Sequence, residues 1–287
     1  MLRRFIYAVF FLLVLVVAEC AIDTHLASGE EAFVAFASVP PMAYFVERIG
    51  GSVIKAEALI GSGDDPHTFE PKPKQMAALS SARAYFATGF PFEANLLPKI
   101  KAANPKLVVV DAAYGIPLIE DDGHEGGHSD PHIWTSPLVA LRIADNVYRG
   151  LVSVDPEGKD SYRENYRAFL KEIADLDAEL WENLKGVRGK KFIVFHPAWG
   201  YFANDYGLIQ VSIEAEGKEP KGADLARLIE MARLEGTKAI LVSPQHSKAG
   251  AKVIADAIGA RLAEIDPLAE DWAENLKAVS KILAEVL

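Results

Sequence analysis

Cysteine is almost missing from this 287-residue chain: Cys20 is the only one. One thiol cannot build an intramolecular disulfide framework, so the fold must rest on a packed core. Basic charge is also scarce, with 30 Lys and Arg against 40 Asp and Glu and a formal net charge of −10. That balance argues against a groove for a nucleic-acid backbone and favours solubility and a cationic partner. Neither Gly-x-Ser-x-Gly nor a P-loop occurs, which removes two common routes to catalysis or nucleotide binding. What remains is a chain long enough for one large domain or two ordinary ones, half of its residues apolar.

Residues 1–20 differ in kind from the rest. Arg3 and Arg4 precede an unbroken apolar run from Phe5 to Val17, followed by Ala18-Glu19-Cys20. A charged start, an apolar stretch too short to span a bilayer comfortably and a processing site together predict a secretory signal. The working protein is therefore expected outside the cytoplasmic membrane. Cys20 stands where a bacterial lipoprotein would be cleaved and acylated, although Glu19 occupies the place of the usual small residue. A lipid at Cys20 and an uncleaved N-terminal anchor both stay open, and either would tether the domain to a membrane surface.

Beyond a polar stretch, short apolar runs alternate with helical patterns. Strands are predicted at 33–37, 53–60, 84–87 and 107–111, with helices at 41–49, 73–82 and 92–102 between them. A helix over 136–154 follows, and Asp155-Pro156 punctuates it. Tyr162, Tyr166, Phe169, Ile173, Leu176, Leu180 and Leu184 then recur at intervals of three and four, predicting one amphipathic helix from Pro156 to Lys185. Gly186 and Gly189 stop it too early for a coiled coil. Alternation resumes with strands at 191–195, 209–213, 239–242 and 261–265 and helices at 201–206, 223–234, 249–258 and from 272 to the end. The expected fold class is α/β, with two lobes of mostly parallel sheet flanked by helices. The expected division is a signal peptide (1–20), a first lobe (21–154), a linking helix (155–186) and a second lobe (187–287).

One segment breaks the rhythm. Residues 114–131 hold glycine, acid and histidine with little to build a core, and are expected to form a flexible acidic loop. Its His124 and His128, set among carboxylates, could capture a divalent cation weakly.

Four residues stand out as candidate metal ligands: His67, His132, His196 and Asp266, each beside a proline. More than sixty residues separate each from the next, so they can meet only in a tertiary cleft. His196 and Asp266 directly follow predicted strands, where functional groups of open α/β sheets gather. All four fall on connections. Pro66, Pro131, Pro197 and Pro267 fix φ beside them and reduce the freedom lost when a site is ordered. Three imidazoles and a carboxylate make a borderline-soft set that suits zinc in a closed tetrahedron. Taken singly, each is more simply read as a cap, a surface residue or a satisfied core contact.

The ordered set of motifs is specific. Gly63-Asp64-Asp65-Pro66-His67-Thr68-Phe69-Glu70-Pro71, the acidic segment ending in Asp130-Pro131-His132-Ile133-Trp134, and His196-Pro197-Ala198-Trp199-Gly200-Tyr201-Phe202 are followed by Glu216-Gly217-Lys218-Glu219-Pro220, Pro244-Gln245 and Ile265-Asp266-Pro267-Leu268. From about residue 32 onward the chain resembles the extracytoplasmic metal-binding proteins of ABC transporters for zinc and manganese, in particular the zinc-uptake branch. The resemblance implies a bilobed fold bridged by one rigid helix, with the metal site in the interlobe cleft. It implies His67 and His132 as ligands from the first lobe and His196 and Asp266 from the second; Glu70, beside the first motif's histidine, could orient an imidazole. It implies carriage of Zn²⁺ by a monomer to a membrane permease, and no enzyme. His196 stands where manganese and iron members carry a carboxylate, which moves the choice toward zinc and leaves Mn²⁺ or Fe²⁺ as the alternative. A metal-dependent surface adhesin of the same fold would share the site. Ser243 and His246 depart from the family pattern, and His246 is expected to be structural or exposed.

Overall fold

Proline sets the register of the first half of the chain. In a computed structural model, described over residues 32–61, 63–66, 68–119, 129–214 and 222–287, four helices open on it: α1 (Pro40–Gly50), α2 (Pro73–Leu79), α3 (Pro91–Ala103) and α4 (Pro137–Val154). At a first helical position the missing N–H would have had no partner, and the fixed φ is already helical. Ser136 completes the start of α4, its hydroxyl accepting from Val139 N at 2.9 Å. The signal segment with Cys20, His67 and the acidic stretch with His124 and His128 lie outside the described residues.

Between these helices run β1 (Phe33–Ala37), β2 (Ile54–Ala58), β3 (Ala84–Ala87) and β4 (Val108–Asp111), all parallel in the order β2-β1-β3-β4. The second half repeats the arrangement. Its strands β5 (Lys191–Val194), β6 (Ile209–Ser212), β7 (Ala239–Val242) and β8 (Arg261–Glu264) are parallel in the order β6-β5-β7-β8. Its helices are α6 (Gly200–Tyr206), α7 (Ala223–Leu234), α8 (Ala249–Ile258) and α9 (Trp272–Val286). In each sheet the first strand sits between the second and third, so the chain leaves it in opposite directions and opens a crevice at its carboxyl end.

The long amphipathic helix α5 (Lys159–Leu184, 26 residues) lies between the two sheets in sequence and spans ~39 Å at ~1.5 Å per residue. It packs against α1 and α4 of the first half and α9 of the second. Tyr162, Phe169, Ile173, Leu176, Leu180 and Leu184 form its buried face. Tyr166 is half-buried and stacks on Tyr148 at 4.9 Å. The helix is shorter than its periodicity predicts at both ends. At the start, Tyr162 Oη donates to Asp155 Oδ2 at 2.6 Å and closes a turn over Pro156-Glu157-Gly158; at the end, Lys185–Val187 tighten into a 3₁₀ turn around Gly186. Phe45 of α1, Phe169 of α5 and Trp272 of α9 meet edge to face, with Phe45 5.1 Å from Phe169 and 4.9 Å from Trp272. One aromatic knot thus ties together helices from both halves. No helix among the described residues is long and apolar enough to cross a membrane.

Candidate metal centre

The carboxyl edge of the second sheet presents its chemistry in strand order. Glu214 follows β6, His196 follows β5, His246 lies in the turn after β7, and Asp266 follows β8. Parallel pairing brings residues far apart in sequence to one edge, and hydrogen bonds continue the ladder past the strands: Phe195 N donates to Leu241 O, and Glu214 N to Phe195 O.

From the first half, His132 enters through the 3₁₀ turn Ile133–Thr135. Asp130 fixes it twice, its Oδ1 accepting from His132 N at 2.8 Å and from His132 Nδ1 at 2.7 Å. Phe90 and Trp134 pack edge-on against the ring, at 6.0 and 5.5 Å. Tyr201, on α6, donates its hydroxyl to the Asp130 carbonyl at 3.0 Å, and burial pushes that phenol up to about 12. Gly200, the first residue of α6, is held to glycine by space, because a Cβ there would meet Asp130 Oδ2 and Ile119 Cδ1, each at 2.9 Å.

His196 repeats the device on the other side. Its Nδ1 is 2.5 Å from Glu214 Oε1, with both side chains buried. In each pair the carboxylate accepts a hydrogen bond from Nδ1–H, which places the ring's lone pair on Nε2 and raises its basicity. The two rings lie with centroids 5.2 Å apart at 75°. Two imidazoles on one tetrahedral ion, with bonds of ~2.0–2.1 Å, place their centroids about 5 Å apart. The spacing of His132 and His196 matches that of two imidazoles on a shared ion.

Asp266 is half-buried at the same edge. Its Oδ1 accepts from Gln245 Nε2 at 2.7 Å and from Leu268 N at 2.8 Å, and burial raises its pKa above the usual carboxylate range. Glu70 is exposed. Among the described residues, the group of three whose ligand atoms all lie within 4.8 Å of one another is His196, Glu214 and His246, a set without Asp266. His246 stacks on His196, centroids 4.4 Å apart and planes 28° apart. Burial, with the neighbouring His196, lowers its pKa and favours the neutral ring.

Sequence reasoning passed over Asp130 and Glu214 as partners of the histidines. Asp130 left a local signal, a carboxylate two residues before His132 with Pro131 between; Glu214 left none beyond its place after a strand. Two indole bonds hold the edges of the centre. Trp134 Nε1 donates to the Pro267 carbonyl and Trp272 Nε1 to the Trp134 carbonyl, each at 2.7 Å.

Known proteins resemble the chain over most of its described length. The profile of the family described as zinc-uptake complex component A, periplasmic, matches residues 36–286. The zinc-binding lipoprotein AdcA of Streptococcus pneumoniae is 29% identical over 252 residues, 83% of this chain and 50% of its own length. The chain thus spans about half the length of that relative. The high-affinity zinc uptake system protein ZnuA of Bacillus subtilis is 31% identical over 243 residues, covering 79% of this chain and 76% of its own. A crystal structure of ZnuA superposes with a TM-score of 0.85 at 42% identity, over 89% of this chain and 99% of that one.

Proposed function

Because the chain belongs to the zinc-uptake complex component A family of the periplasm, we propose that it binds Zn²⁺ outside the cytoplasmic membrane. It then hands the ion to an ABC permease powered by a separate ATPase. The ion is cargo, held by His67 and His132 of the first lobe and by His196 and Asp266 of the second. The lobes are residues 21–154 and 187–287, with 155–186 as the link, and the protein works as a monomer, Cys20 being the residue that would take a lipid anchor. His124 and His128 add weak capture of the cation.

One observation carries this reading: His132 and His196 come from different halves of the chain, stand 5.2 Å apart by ring centroid, and each rests its Nδ1 on a buried carboxylate. Two oriented imidazoles across a cleft make a site for a borderline-soft cation. The His124-Glu125-Gly126-Gly127-His128 string spells H-E-x-x-H, but that pattern serves zinc hydrolases on a helix and two central glycines disfavour one. The family is one of zinc uptake, not of catalysis.

The test is uptake of radioactive zinc by membrane vesicles holding the cognate permease and ATPase. Added wild-type protein should support uptake at submicromolar zinc and His196→Ala should not. Equal uptake with either would sink the proposal.

A further inference from the structure

We propose that Glu93 is a positioning residue for the zinc site: from the crevice of the first sheet its carboxylate fixes the Thr88-Gly89 turn, and that turn seats Phe90 against the His132 ring. The inference rests on the carriage reading and adds to it a residue that sets affinity without touching the ion.

Topology supplies the first argument. In the order β2-β1-β3-β4 the chain departs from β1 in both directions, so the crevice of this sheet opens between β1 and β3. Ser38 follows the first of these strands and Thr88 the second, and Glu93 reaches between them from the first turn of α3. The place where an open α/β sheet ordinarily takes a ligand is thus filled by a carboxyl of the chain itself, 3% exposed.

The bonds supply the second. Glu93 Oε1 accepts from Ser38 Oγ, from Thr88 N at 3.0 Å and from Thr88 Oγ1 at 3.2 Å, and its Oε2 accepts from Gly89 N at 2.9 Å. Tyr85 Oη lies 3.0 Å from Ser38 Oγ and extends the network. Donors converging on one buried carboxyl from both strand ends order the turn between β3 and α3. Gly89 bends the chain there with φ +93°, and Phe90 follows directly.

Phe90 then carries the geometry to the site. Its ring stands 6.0 Å from the His132 ring at 88° and 5.8 Å from Trp134, and it stacks on Phe92 at 5.8 Å. Phe92 meets Phe69, two positions beyond His67, at 5.5 Å. Asp130 holds His132 by one ring nitrogen, and Phe90 confines the rest of the ring.

The experiment measures zinc affinity by competition with a chromophoric chelator, at a temperature where circular dichroism shows each protein folded. Wild type, Glu93→Gln, Phe90→Leu and the double variant are compared. Glutamine sets an amide NH₂ where one oxygen stood, facing either the Gly89 N–H or the donors of Ser38 and Thr88. Leucine removes the ring edge and keeps an apolar side chain. Each single change should weaken zinc binding about tenfold, the lower end for partners that orient metal ligands. The double variant should lie within about twofold of the weaker single, because both act through one contact. A merely structural carboxyl would lower the melting temperature and leave the affinity of the folded protein unchanged. Should Glu93→Gln not fold, Thr88→Val, which removes one donor and keeps the shape, takes its place with a loss of about threefold expected. A single variant with wild-type affinity, or losses that multiply in the double variant, overturns the positioning role alone. A wild type with no tight zinc site overturns the carriage reading itself.

Discussion

Replacing Asp130 tests how far the zinc site depends on a residue that never needs to touch the ion. Its Oδ1 accepts both the N–H and the Nδ1–H of His132, at 2.8 and 2.7 Å, in a place where Asp130 and His132 are each 3% exposed. Asparagine can still accept both bonds, so His132 stays in position and only the charge is lost. A hydrogen bond to a charged acceptor is roughly twice as strong as a neutral one, so Asp130→Asn should weaken zinc binding about tenfold, ~1.4 kcal/mol. Asp130→Ala removes the acceptor altogether. The ring then loses its orientation, and affinity should fall about a hundredfold, the upper end for partners that orient metal ligands. A buried N–H left without its partner also costs ~1–3 kcal/mol of folding stability. Zinc competition titrations and thermal unfolding of the metal-free protein measure the two effects separately. An Asp130→Ala protein that binds zinc within twofold of wild type would refute the reasoning, because His132 would then be oriented by something else.

Further perturbations probe the surroundings. Gly200→Ala should push Asp130 and Ile119 aside, each 2.9 Å from the new Cβ, and cost ~1–3 kcal/mol of stability together with severalfold zinc affinity; an unchanged melting temperature would contradict it. Trp134→Phe removes the indole donor to the Pro267 carbonyl and should destabilise the fold by ~1–3 kcal/mol in denaturant titrations. A loss below half a kilocalorie would assign that contact no weight. Burial holds the Glu93 carboxyl above the usual carboxylate range against opposing hydrogen bonds from Ser38, Thr88 and Gly89. A carboxyl raised in the folded state makes stability fall as pH climbs from the unfolded-state value through the folded one, and leaves it level above. The stability difference between Glu93→Gln and wild type should therefore vary with pH over that window alone; a constant difference would count against it.

The periodic elements were legible because each is written locally. Apolar spacing from Tyr162 to Leu184 marks α5, and Pro40, Pro73, Pro91 and Pro137 mark helix starts within a residue or so. Its exact ends were not, since they depend on the Tyr162–Asp155 bond and the glycine turn that follows. The site was legible as residue types at strand ends, and His132 and His196 do converge. The pairing of His196 with Glu214 and its stack on His246 were hidden, because only the β6-β5-β7 order makes neighbours of residues 18 and 50 positions apart. Such contacts are products of sheet topology, and no local pattern encodes them.

Calorimetric titration of metal-stripped protein with Zn²⁺ and with Mn²⁺, beside His196→Ala, tests the central claim most directly. The account predicts one tight zinc equivalent, weaker manganese binding, and loss of the tight site in the variant. Tight manganese with weak zinc would contradict the cargo assignment, and tight zinc undiminished in His196→Ala would contradict the site.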